Sequence, residues 1–401
     1  MTETLTLATR GSALALRQAA TVRDALSTRR RDVEIRQVET RGDQIPDELI
    51  HRLGRIGAFV HALDEEVRAG DADLAVHSMK DVPTEGLDDL VVAGVPERAP
   101  AGDVLVHPEG AALAELPAGA VVGTGSLRRT AQLGATRPDL AVEPIRGNVD
   151  TRLEKLLAPR LQAEHEQRLV AAGELEEVPE NDADDTGDDA GDTPNDEASF
   201  ERSVDEWFDA RSELERAAME RRVETEYDAL VMAEAGLRRA DLYDAERTTR
   251  LPRDEFVPAA GQGTIAVTAT NPEVIETIRS AVDHPRTRVA TTVERTILAE
   301  LNGGCIAPIG VSARVQGEHV HTRVRVLSTD GTEEVGGTRD LPIQSHASAA
   351  EAFAADLADR GASDLIAAAR AAVEAEPAEG GTADSEQNGD NGSRPEESAD
   401  V

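Results

Sequence analysis

One cysteine, Cys305, stands in Gly303-Gly304-Cys305, just after a stretch with helical character. The two glycines free the backbone and leave the sulfur accessible. A thiol beside a helix or a cation ionises readily and can act as nucleophile or attachment point. The commoner fate of a free cysteine is burial as an inert small side chain, and these residues alone leave both readings open. A second candidate is Lys80-Asp81, within His77-Ser78-Met79-Lys80-Asp81-Val82-Pro83. It follows a short apolar run, 74–76, that reads as a strand. A lysine beside a carboxylate at a strand's end suits a charged active-site floor, with Asp81 as acid, base or cation stabiliser. The competing reading is a plain turn in which Asp81 satisfies backbone N–H groups ahead of Pro83.

Arginines fall at predicted loop–helix junctions. Arg10 lies between a strand and the helix start at Ser12. Arg128 and Arg129 open the helix after Gly123-Thr124-Gly125-Ser126, while Arg146 precedes Gly147-Asn148 and Arg152 follows six residues later. Strand ends and helix N-termini in α/β folds attract anions through backbone N–H groups and the helix dipole. Guanidinium forks there add bidentate capture of carboxylate or phosphate. The pattern predicts a cleft for a multiply anionic ligand; the competing reading makes each arginine a surface ion-pair partner. Gly123–Ser126 lacks the third glycine of a dinucleotide loop and the Gly-Lys-Ser/Thr of a P-loop, so alone it is a weak signal. His51, His61, His77 and His107 are scattered, and no metal site is expected.

The elements that must position these groups alternate. Runs at 5–8, 33–38, 74–76 and 90–95 read as strands. Between them lie a helix from Ser12 through Gln18, Val22 and Leu26, and another with Phe59, Leu63 and Val67 on one face. A second set holds strands at 121–122, 140–145 and 227–233. A last region has a helix at 293–301, strands at 311–315 and 320–327, and an alanine-rich helix within 349–373. This is the rhythm of α/β domains. The stretch 158–224 reads as an acidic insertion. Its middle, 174–197, has too few apolar residues to offset ordering entropy, and its charged flanks are predicted helical. The tail beyond 376 is expected to lack structure.

The 401 residues carry 78 acidic against 42 basic side chains, a formal net charge of −36. Such a surface repels nucleic acid and anionic membrane, so an anionic ligand needs a local cationic pocket. Lysine occurs only at Lys80 and Lys155. Acid excess, scarce lysine and 2% aromatic content suit solubility in concentrated salt, though a GC-rich genome also favours arginine, alanine and glycine. One cysteine excludes an internal disulfide, and no run approaches a membrane-spanning length or a signal peptide. A cytoplasmic location is expected.

Several stretches, taken in order, closely resemble the porphobilinogen deaminase family. They are Ala8-Thr9-Arg10-Gly11-Ser12, Leu14-Ala15-Leu16-Arg17-Gln18-Ala19, Thr40-Arg41-Gly42-Asp43 and the segment from Val76 to Pro83. They continue with Val122-Gly123-Thr124-Gly125-Ser126-Leu127-Arg128-Arg129, Arg146-Gly147-Asn148-Val149, Thr151-Arg152-Leu153, Ala260-Gly261-Gln262-Gly263 and Gly303-Gly304-Cys305-Ile306-Ala307-Pro308-Ile309-Gly310. The resemblance implies an α/β protein of three domains: two lobes like those of type II periplasmic binding proteins, and a small α+β C-terminal domain. The implied bounds are 1–95 plus 261–279, then 96–260 with the insertion, then 285–375, and the tail 376–401.

The implied reaction is a transferase reaction, that of hydroxymethylbilane synthase, in tetrapyrrole biosynthesis. Four porphobilinogen molecules join head to tail with loss of ammonia. The resemblance implies a dipyrromethane cofactor bound to Cys305 through a thioether, and Asp81 as the catalytic carboxylate. Lys80, Asp81, Thr124, Ser126, Arg128, Arg129 and Arg152 match cofactor-binding positions. Arg10, Ser12, Gln18, Arg146 and Arg152 match substrate-binding positions. A monomer is the family expectation. One departure stands out: where the family carries Gly-Gly-Lys-Gly-Leu-Phe in a loop, this chain has Gly54-Arg55-Ile56-Gly57-Ala58-Phe59, so Arg55 is expected to take the lysine's role. A non-catalytic anion binder of the same fold is the alternative, and it would need neither Asp81 nor Cys305. A cysteine hydrolase would want a histidine base in a convincing context, which the sequence lacks.

Overall fold

The computed structural model describes residues 3–38, 58–84, 89–175, 200–304 and 307–375. Cys305, Arg55, the 40–43 stretch, the middle of the insertion at 176–199 and the tail 376–401 lie outside the described residues.

The chain opens with β1 (Glu3–Arg10), α1 (Ala13–Leu26), β2 (Arg31–Val38), α2 (Ala58–Ala69), β3 (Leu74–Ser78) and β4 (Val91–Gly94). Ser12 starts α1 because its Oγ accepts the Ala15 N–H at 3.3 Å. Ala19, Val22 and Leu26 then recur on one helical face and pack on Leu5, Leu7, Val33, Leu74 and Val76 of the sheet. The next set is β5 (Asp103–Val106), β6 (Val121–Gly123), α3 (Leu127–Thr136), β7 (Ala141–Glu143), α4 (Val149–Ala171), α5 (Val204–Asp209), α6 (Glu213–Met219), β8 (Ala229–Ala233), α7 (Glu234–Ala240) and β9 (Thr248–Arg250). The chain returns through β10 (Ile265–Ala269) and α8 (Pro272–Val282). It closes with α9 (Pro285–Glu300), β11 (Ile309–Gln316), β12 (His319–Leu327), β13 (Glu334–Pro342), α10 (His346–Asp359) and α11 (Ala362–Ala375).

Two five-stranded sheets share one plan, β2-β1-β3-β10-β4 and β7-β6-β8-β5-β9. In each, three parallel strands are followed by one antiparallel strand, β10 or β5, that crosses from the other lobe. The two crossing segments are tied together: Ala99 N–H donates to the Gly263 carbonyl at 3.0 Å. Gly263 has φ +81°, and a Cβ there would stand 2.7 Å from the Ala99 carbonyl oxygen, so this close approach requires glycine.

The third sheet, β11-β12-β13, is antiparallel and packs on α9, α10 and α11 around Val293, Ile297, Val311, Val324, Phe353 and Leu357. The alanine-rich closing helix is two helices, α10 and α11, divided at Gly361, whose φ is +98°.

The flanks of the insertion are helical, as expected, and they also pack together, which the sequence did not predict. α4 runs straight through Pro159, and Leu157, Ala158 and Leu161 pack with Trp207 and Ala218 from α5 and α6. Pro159 forfeits one helical hydrogen bond. Burial of the neighbouring apolar side chains offsets that loss. Trp207 is 1% exposed and donates its indole N–H to Glu164 at 2.7 Å. Sequence composition hid this unit because its few apolar residues are separated by the acidic middle.

Candidate functional site

The predicted site residues fall at the carboxyl ends of parallel strands in both lobes. β1 and β3 pair in parallel, Leu7 opposite Leu74, so their carboxyl ends share one edge of the first sheet. Arg10 ends β1 and is half-buried. Ser12 caps α1 with its oxygen, which leaves its O–H free to donate, and Gln18 is buried on α1. Beyond β3 a tight turn, residues 79–81, carries Lys80 and Asp81 with exposed side chains. Met79 N–H donates to the Thr264 carbonyl at 2.9 Å, and Val82 N–H to the Met79 carbonyl at 3.2 Å. Gly261 presses on the turn, where a Cβ would lie 2.7 Å from the Met79 side chain.

In the second lobe β6 leads into Thr124, Gly125 and Ser126 and then α3. Thr124 is buried, and its Oγ1 accepts the Ser126 N–H at 3.3 Å. Ser126 occupies the N-cap of α3 without a side-chain capping bond, so its hydroxyl is not spent on the helix. The backbone N–H groups of this first turn are an anion-binding terminus.

Arg128 and Arg129 are both buried on Asp103 of β5. Arg128 Nη1 lies 2.8 Å from Asp103 Oδ2, and Arg129 donates from Nε and Nη2 to Oδ1 at 3.0 and 2.8 Å. Burial alone would raise the Asp103 pKa, but the two guanidiniums outweigh it and hold the carboxyl at about 2. Gln262, on the second crossing segment, donates to the Ala101 carbonyl at 2.7 Å and to Asp103 at 2.9 Å, and accepts from Arg128 at 3.3 Å. Arg128 also donates to Gln132 and to the Val257 carbonyl, at 2.9 and 2.8 Å.

Arg152 gathers with this cluster. Its Nε donates to the Gly147 carbonyl at 2.9 Å, and a Cβ on Gly125 would come within 3.3 Å of its Nη2. Desolvation first, then the like charges of Arg129 and Arg146, lower its pKa to about 10. Arg129 and Arg146 therefore each repel Arg152, and the single charge of Asp103 offsets one of the two guanidiniums it binds. The result is a local positive field in a chain of net charge −36. Carboxylates entering there gain Coulomb energy and hydrogen bonds together.

The structure thus brings Thr124, Ser126, Arg128, Arg129, Arg146 and Arg152 together in the second lobe. Arg10, Ser12, Gln18, Lys80 and Asp81 belong to the first. Cys305 lies outside the described residues, which reach Gly304 just beyond α9. Sequence reading missed Asp103 and the role of Gln262. The available signal was an acid opening the apolar run Val104-Leu105-Val106, where a charge is costly unless paired. Among the described residues no group of three or more His, Cys, Asp or Glu side chains could hold a metal ion. No helix among them is long and apolar enough to cross a membrane.

Crossed strands in two like sheets define the class: a two-lobed α/β protein of the type II periplasmic-binding-protein architecture, extended by a small third domain. Comparison narrows this. A family described as "Porphobilinogen deaminase, dipyromethane cofactor binding domain" matches residues 5–179 and 211–276, and the "Porphobilinogen deaminase, C-terminal domain" matches 289–359. The chain is 52% identical over 386 residues to a "Probable porphobilinogen deaminase" of Halobacterium salinarum, covering 91% of this chain and 98% of the relative. It is 33% identical to a protein of the same description from Methanococcoides burtonii, covering 90% and 95%. A "Porphobilinogen deaminase" of Desulforudis audaxviator is 35% identical, covering 92% and 99%. The chain belongs to the porphobilinogen deaminase family.

Proposed function

We propose that this chain joins four porphobilinogen molecules head to tail, releasing ammonia at each step and hydroxymethylbilane by final hydrolysis. The observation that carries the reading is the cluster of Arg129, Arg146 and Arg152, drawn together from the starts of α3 and α4. Each porphobilinogen brings an acetate and a propionate, whose charge compensates guanidiniums held in a desolvated, mutually repelling setting.

The same cluster fits the carboxylates of a dipyrromethane held by the Cys305 sulfur. When bound, that group supplies the free pyrrole carbon on which the chain is extended. Arg152, Lys80 and the Thr124 and Ser126 hydroxyls would hold its carboxylates. Arg128 and Arg129 are both engaged by Asp103 and by carbonyl or amide oxygens, so both contribute to that grip chiefly through their charge. Arg10, Ser12, Gln18, Arg146 and Arg152 receive the incoming porphobilinogen. As its aminomethyl C–N bond breaks and ammonia takes the electron pair, positive charge spreads to the pyrrole N–H. Asp81 faces that charge, stabilises it, and accepts a proton as the new C–C bond forms. Arg55 serves in place of the lysine usual in the family's loop. The enzyme works as a cytoplasmic monomer.

Intact-mass analysis and Ehrlich's reagent on purified protein test the reading. A dipyrromethane adduct mapping to Cys305, absent from Cys305→Ala, is expected. Asp81→Ala should lose about 10²–10⁴-fold in bilane formation. A bare sulfur in active protein, or near-normal turnover by Asp81→Ala, would refute it.

A further inference from the structure

We infer that Arg295 of α9 is a positioning residue for Asp81, an inference that rests on the catalytic role proposed for that carboxylate. Arg295 donates to the carbonyls of Val82 and Pro83 at 2.8 and 2.6 Å, the two residues directly after Asp81. Those carbonyls lie beyond the end of β3 and have no strand ladder to join, so the guanidinium supplies their partner. The Asp81 side chain is exposed, so its place is set by its own backbone.

That backbone is held from two sides. Met79 is fixed by Thr264 and Gly261 of the second crossing segment, and Val82-Pro83 by Arg295 of the third domain. A cavity of about 310 Å³ lies beside these contacts, its lining including Met79, Thr84, Val92, Val95, Arg288 and Arg295. One further arginine of α9 crosses the same seam two turns earlier: Arg288 donates to the Val92 and Ala93 carbonyls at 3.2 and 2.9 Å and pairs with Asp283. Arg288 therefore holds β4, away from Asp81, while Arg295 holds the turn that carries the carboxylate. Because α9 leads into Gly303-Gly304, Arg295 ties the position of Asp81 to the helix that precedes the cofactor-bearing cysteine.

Arg295→Met and Arg288→Met, purified as full-length holoenzyme, test this together with Asp81→Ala. A misplacement near 1 Å is expected to cost about 10²-fold in rate. Arg295→Met should therefore keep the Cys305 adduct and its KM for porphobilinogen but lose about that factor in kcat. Arg295→Lys should recover part of the loss, and Arg288→Met should keep wild-type kcat whatever its thermal stability. If Arg295→Met proves insoluble, Arg295→Lys carries the test, with a smaller fall in kcat at unchanged KM. An unchanged kcat in the Arg295 variants, or an equal fall in Arg288→Met, overturns the inference. A fully active Asp81→Ala would instead strike the role of Asp81, a separate failure.

Discussion

Asp103 shows what the arginine cluster costs and how it is held. A carboxylate with no exposed surface accepts bonds from two buried guanidiniums, and removing it strands both charges. Asp103→Asn is expected to lose about 3–5 kcal/mol of stability, measured by urea unfolding. A loss under about 1 kcal/mol would show that the arginines find other partners. The pH dependence has a defined sign. The folded carboxyl titrates at about 2, below its ordinary 3.8. The stabilisation is thus complete above the ordinary value and disappears as pH falls through the folded one. Wild-type urea midpoints should drop across that window, and those of Asp103→Asn should drop less.

At the scale of elements, the described flanks of the insertion form a packed unit on an extended α4. Trp207 anchors it: His165 stacks on its ring at 5.7 Å, and Arg168 and Arg211 lie over its face. Truncating a buried tryptophan costs about 3–5 kcal/mol. In Trp207→Ala that loss should appear locally, as faster amide exchange over α5 and α6, with bilane formation near wild type. Unchanged exchange there would mean that the helices are held by other contacts, such as the Gln162 side-chain bond to the Met219 carbonyl at 3.1 Å. Three helix N-termini show local consistency: Ser12, Ser203 and Ser212 each close a capping bond, the last two as capping boxes with Glu206 and Glu215.

For the whole molecule the governing quantity is charge. A net −36 repels itself at low ionic strength, where the Debye length is about 10 Å at 0.1 M salt against about 3 Å at 1 M. The melting temperature is expected to rise steadily with potassium chloride across that range, as followed by circular dichroism. A flat response would assign the composition to genome bias alone. The buried cationic cluster should feel the same salt far less, because low-dielectric surroundings weaken screening.

The sequence by itself determined the alternation of most strands and helices, and the family. Each of these lives in local spacing: Ser12 before an apolar helical face, Gly123–Ser126 before two arginines, Gly303-Gly304 before a cysteine. Strand β13 escaped because Gly336-Gly337 interrupts its pattern, and β5, β9 and β10 because they are short and gain their partners only from distant chain. Tertiary structure alone decided that Arg128 and Arg129 share Asp103, and that Arg295 reaches the turn after Asp81. These pairings span from about two dozen to more than two hundred residues of sequence. Burial chooses them: a charge withdrawn from water must find its partner in space, and nothing in its immediate sequence says where that partner will come from.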